Sequence, residues 1–146
     1  MKDIFVDNDA ATNFTNPVDA GYKQFFAWLF EKGVLVVSQK LLVEYTRTCV
    51  GGSGGSNIGV LINHLTKTPG RLIKIPKADL DAFAIPKHIV RHLQSNRADH
   101  VHIKTVLLST RKYAITQDAG LLQDINYYPG HNSRAVNRPE KIDYSG

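Results

Sequence analysis

An apolar run, Ile4-Phe5-Val6, ends in Asp7, and Asp9 follows two residues later. Three other acidic positions stand at comparable places: Glu44 in "LLVEYTR", Asp99 in "NRADHVHIKTVLLS" and Asp118 in "YAITQDAG". Each has an ordinary explanation. A strand-end Asp makes an Asx-turn, Asn96 and Asp99 have the spacing of a capping box, Asp118 suits a helix cap, and Glu44 suits a solvated helix face. Brought together without matching cations, the same carboxylates repel and their pKa values rise. A divalent ion relieves that repulsion, and hard carboxylate oxygens suit Mg²⁺ or Mn²⁺. Such a site supports in-line displacement at phosphorus.

The chain must supply elements that carry these residues to one place. Four short apolar runs read as strands: Ile4–Val6, Val34–Val37, Leu72–Ile75 and Tyr113–Ile115. Their apolarity is continuous rather than alternating, which suits a parallel sheet covered on both faces. Helical spacing fills the intervals, over 19–32, after Ser38, from Ile58 to Leu65, after Pro86, over about 98–110 and over 119–124. Strands alternating with helices predict an α/β/α sandwich with a central, mostly parallel twisted sheet of four to five strands. Asp7 and Asp118 then fall at or just past the carboxyl ends of two strands, where open sheets bind ligands at the point of strand-order reversal. Asp99, in the first turn of its helix and four residues before Ile103, shares that helix's inward face.

The 146 residues, 42% of them hydrophobic, suffice for one domain with one core. Residues 1–128 hold the sheet-and-helix pattern; 129–146 read as a polar tail with an edge strand at Arg134–Val136 or as a loose end. No apolar run is long enough to span a membrane, and the first residues lack a signal-peptide pattern. The single cysteine, Cys49, has no internal disulfide partner and falls on an apolar stripe. A cytoplasmic protein without membrane attachment is expected. A net charge of +5 suits either solubility or a polyanionic partner.

Taken together, "IFVDNDA", "LLVEYTR", "NRADHVHIKTVLLS" and "YAITQDAGLLQD" resemble the PIN-domain nucleases in order and spacing, over about residues 2–128. The resemblance implies a Mg²⁺- or Mn²⁺-dependent endoribonuclease that hydrolyses phosphodiester bonds of RNA. It implies Asp7, Glu44, Asp99 and Asp118 as catalytic metal ligands, with Asn8, Asp9 and Thr116 supporting. Small stand-alone members of the family include VapC-like toxins, so a toxin neutralised by an antitoxin, and a homodimer formed through Tyr22, Phe25, Phe26 and Trp28, are further expectations. The same aromatics also suit a core. Asp9 departs from the family's usual Asn, Ser or Thr, and the glycine-rich "GGSGGS" at 51–56 lies outside its pattern.

Other constellations are weaker. His100 and His102 form a His-x-His pair, but on a helix they point about 200° apart and do not share one zinc. "GGSGGS" lacks the Lys-Ser/Thr of a phosphate loop and reads as a flexible loop. "KADLDAF" at 77–83 reads as a polar surface connection, and Asp124 lies too late to match the family's pattern. Arg47 and Arg97, with Arg134 and Arg138 in the tail, are the cations best placed to hold RNA. The alternative function is a catalytically weak PIN-fold regulator that binds RNA or protein.

Overall fold

A computed structural model describes residues 2–16, 18–49 and 57–145, the side chains of Thr48 and Cys49 excepted. The expectations for the Cys49 side chain and for the loop at 51–56 lie outside the described residues. The elements run β1 (Asp3–Val6), α1 (Asn8–Ala11), a 3₁₀ turn (Thr12–Thr15), α2 (Ala20–Glu31), β2 (Val34–Val37), α3 (Gln39–Cys49), α4 (Asn57–Leu65), β3 (Leu72–Lys74), α5 (Lys77–Ala82) and α6 (Lys87–Val90). A 3₁₀ turn (Arg97–Asp99) then leads into α7 (His100–Leu108), β4 (Tyr113–Ile115), α8 (Ala119–Tyr127), β5 (Arg134–Val136) and a last 3₁₀ turn (Pro139–Lys141).

All five strands are parallel, in the order β3-β2-β1-β4-β5. The fold is therefore the expected three-layer α/β/α sandwich, with β1 central and the strand order reversing between β1 and β4. Val, Ile and Leu fill the strands, and Ile4, Phe5, Val6, Leu35, Val36, Val37, Ala114 and Ile115 are fully buried. Helices α1 to α4 pack among themselves, and α7 packs on α5, α8, β1 and β2. The helix starts follow local chemistry: the Ser38 hydroxyl accepts from Leu41 N at 3.1 Å, and the Asp19 carboxylate accepts from Tyr22 N at 3.1 Å. Gly70, at φ +85°, supports the turn that leads from α4 toward β3.

The structure adds two helices that periodicity did not show, α1 and α5. "KADLDAF" is largely helical rather than a bare connection, because Leu80 anchors it against Val36 and Ile75. The segment after Pro129 is ordered by packing: β5 pairs with β4, Ile142 is buried, and the Tyr144 ring lies 5.2 Å from that of Trp28. Arg138 ties it to α2 through Asp19 at 3.1 Å and also bonds Glu140. Tyr22 and Phe25, named for a dimer face, are buried in the core, and Phe26 and Trp28 pack against it. No helix among the described residues is long and apolar enough to cross a membrane.

Candidate metal centre at the carboxyl edge

The ends of β1 and β4 are stitched together where the strand order reverses. Asp7 N donates to the Ile115 carbonyl at 3.0 Å. The Thr116 hydroxyl donates to Asp7 Oδ2 at 2.6 Å and accepts from Asp118 N at 3.1 Å. The other Asp7 oxygen accepts from Asn8 N at 2.9 Å, which starts α1. Gln117 N donates to Asp9 Oδ1 at 3.0 Å, so the acidic turn after β1 and the turn after β4 hold each other.

Glu44 arrives from α3. The register of that helix is fixed by Tyr45, whose buried hydroxyl donates to the Val6 carbonyl at the end of β1. Burial, with the charges of Asp7 and Glu44, holds the Tyr45 phenol well above its ordinary pKa, so it stays a donor. His102 arrives from α7, almost fully buried, with its ring 5.2 Å from that of Phe5. His102 Nε2 lies 3.1 Å from both Glu44 oxygens, and Lys40 Nζ lies 3.3 Å from Oε2.

Asp7, Glu44 and His102 thus each present a ligand atom, all within 4.8 Å of one another, in a cluster that could hold a metal ion. Its electrostatics suit a cation. Burial raises the Asp7 carboxyl most, and Glu44's charge adds to that rise, while Thr116 and His102 oppose it. Burial and the neighbouring charge of Asp7 push Asp9 up to about 6.

The sequence placed four carboxylates together; the structure brings Asp7 and Glu44 to one point and adds His102. Asp118 stands beside them rather than among them. Its Oδ1 accepts from Leu121 N at 3.0 Å and caps α8, and its charge reaches Asp9. Asp99 lies one helical turn before His102, outside the cluster, and makes no cap. The Asn96–Asp99 capping box does not form either, because Asn96 makes no side-chain cap. Asn8, Asp9 and Thr116 all border the cluster. Arg47 and Arg97 are exposed. Arg134 lies 6.0 Å from the Tyr113 ring, and Arg138 is engaged by the Asp19 and Glu140 carboxylates.

His102 was missed as a site residue, although the stripe that turns Ile103 and Val106 inward also carries it inward. His100 faces an outer cleft instead, so the two histidines do not share a site. Asp124 was also missed. It is fully buried and accepts from Gln94 N at 2.7 Å, Ser95 N at 2.8 Å and the Ser95 hydroxyl, which pins the segment leading to Asp99. The signal was present: Leu121, Asp124 and Ile125 share one buried stripe of α8. In comparisons with known proteins, no protein-family model and no curated protein matches the chain.

Proposed function

We propose that the protein is a Mg²⁺- or Mn²⁺-dependent endoribonuclease of PIN type, with its centre on Asp7 and Glu44. The observation that supports this most is their convergence, with His102, at the strand-order reversal of a parallel sheet. The resemblance of the motifs supports RNA as the polymer.

The donor set fits a divalent ion. Asp7 and Glu44 supply hard oxygens from two sides, and Asp118 borders them through Thr116. When bound, the ion polarises the scissile phosphodiester and makes water a better nucleophile at neutral pH. The protein's own groups orient the ligands. Thr116 fixes the Asp7 carboxylate, and Tyr45 fixes α3 and therefore Glu44.

His102 acts as a donor to Glu44 rather than as a third ligand. Both partners of Nε2 are carboxylate oxygens, which only accept, so the proton sits on Nε2. Were Nε2 to bind an ion, Nδ1 would carry the proton, and Nδ1 is buried without a hydrogen-bond partner among the described residues. Histidine ligands ordinarily donate that second proton to a carbonyl or carboxylate.

One observation favours the alternative, a weakly catalytic RNA- or protein-binding regulator. Glu44 is already paired with Lys40 and His102, so its charge is partly met without an ion. Cleavage of labelled single-stranded RNA separates the two readings. The nuclease reading expects cleavage with Mn²⁺ or Mg²⁺, stopped by EDTA and by Asp7→Asn. RNA binding without turnover in any divalent metal would favour the regulator. A toxin role with an antitoxin partner is part of the proposal at the level of the cell. It expects growth arrest on expression that is lost in Asp7→Asn.

A further inference from the structure

The arginines of this chain fall into two groups. Arg71 is engaged by the carbonyls of Gly33, Leu29 and Phe30, Arg111 by those of Asp3 and Asp143, and Arg138 by two carboxylates. Arg97, like Arg47, Arg91 and Arg134, has no hydrogen bond or ion pair at its guanidinium among the described residues. From the 3₁₀ turn before α7 it lines one cleft with His100 and Lys104, which share a face of α7 at the spacing i, i+4. Neither of those side chains has a hydrogen bond or ion pair among the described residues either. The three wall a cleft of about 250 Å³ that also has an apolar lining of Ile85, Val90 and Val101.

This cleft shares a wall with a second one that approaches the candidate centre through Lys40. Val101 also lines a second cleft, of about 240 Å³, bounded by Gln39, Lys40, Lys77, Leu80 and Asp81. Lys40 is the residue that bonds Glu44. The carboxylate of that second cleft, Asp81, is paired with Lys77 at 2.6 Å. A path from Glu44 past Lys40 and Val101 therefore leads to Arg97, His100 and Lys104.

Resting on the reading of the site as a ribonuclease centre, we infer that this path is the track for single-stranded RNA leaving the scissile position. Arg97, His100 and Lys104 hold phosphates, and Ile85, Val90 and Val101 receive an unstacked base. Charge complementarity selects the occupant: Arg97 and Lys104 lack protein partners among the described residues, and an RNA strand brings a phosphate with every nucleotide. The apolar lining selects single strands, because bases within a duplex keep their faces stacked.

The test measures binding in EDTA, where turnover plays no part. Anisotropy of a labelled single-stranded RNA is read against wild-type protein, the double variant Arg97→Gln/Lys104→Gln, and a control, Arg91→Gln/Lys67→Gln, in which two exposed cations outside both clefts are neutralised. The track variant is expected to bind roughly tenfold or more weakly and to lower the log–log salt slope by about 1.4, at about 0.7 per phosphate contact on a single strand. The control is expected to keep both. Circular dichroism confirms that each variant is folded. Equal losses in the two variants, wild-type binding by the track variant, or no RNA binding by the wild type each overturn the track. Loss confined to the track variant supports it, even if the wild type cleaves nothing in Mn²⁺; that pairing would remove the nuclease reading alone.

Discussion

Strand β1 carries a buried carboxylate at each end, and the two have opposite surroundings. Asp3, at the amino edge, accepts from Thr110 N at 2.8 Å and Arg111 N at 3.0 Å, and so ties down the turn between α7 and β4. Asp7, at the carboxyl edge, accepts from one backbone N–H and one hydroxyl, and its other neighbours include the charges of Glu44 and Asp9. Asp124 belongs with Asp3: it is fully enclosed by donors. A carboxylate surrounded by backbone N–H groups closes a structure. A carboxylate set among other carboxylates, in partial burial, creates a demand for a cation.

The largest effect that would break this contrast is on catalysis. Asp7→Asn should reduce metal-dependent RNA cleavage by roughly 10³-fold or more, because it alters the charge at the centre of the site. The metal-free variant should melt no lower than wild type, since the substitution removes a charge that burial opposes. Asp3→Ala should do the reverse. It orphans two N–H groups and should cost about 3 kcal/mol, or about 10 °C in Tm, while the folded fraction keeps its activity. Thermal melts and single-turnover cleavage on both variants check the pair.

A smaller effect sharpens the role of the third residue in the cluster. His102→Leu should weaken Mn²⁺ binding by about 10–100-fold, as loss of an orienting partner does. His102→Gln, which keeps an N–H donor for Glu44, should recover much of that loss in calorimetry. If His102 were instead a ligand, the glutamine variant would bind no better than the leucine one.

The smallest effect is on pH. The Asp9 carboxyl rises to about 6, from an unfolded value near 3.8, so the folded state binds its proton more tightly than the unfolded state does. The resulting stabilisation is complete below the unfolded value and is lost as the pH climbs through about 6. Asp7 is raised in the same direction, burial being the main cause. Metal-free protein should therefore lose stability from these two groups as the pH rises from 4 to 7. Asp9→Asn should flatten that slope in urea melts. A slope of the opposite sign that Asp9→Asn leaves unchanged would show that these acids are not crowded.

What the sequence made legible follows from what is local. The continuous apolar runs at 4–6 and 34–37 named two strands of the sheet, and the alternation with helices named the architecture. Asp7 was legible because an acid has few reasons to end an apolar strand. His102 was not, because a histidine two residues from another drew attention to the pair rather than to the helix face it occupies. Asp99 and Asp118 fall outside the cluster, whose membership depends on how α3 and α7 approach each other across the end of β1. That approach is set by the Tyr45 hydrogen bond and by packing on Phe5, neither of which has a sequence period. The helical character of 77–82 escaped for a related reason: one buried leucine, Leu80, anchors it against Ile75 and the distant strand residue Val36.

The central claim is that Asp7 and Glu44 hold a divalent ion together at the carboxyl edge. Crystals soaked in Mn²⁺ and measured at an anomalous wavelength test it most directly. The account predicts an anomalous peak within bonding distance of both carboxylates, absent in Asp7→Asn. A peak only at surface histidines, or an unchanged peak in Asp7→Asn, would contradict it.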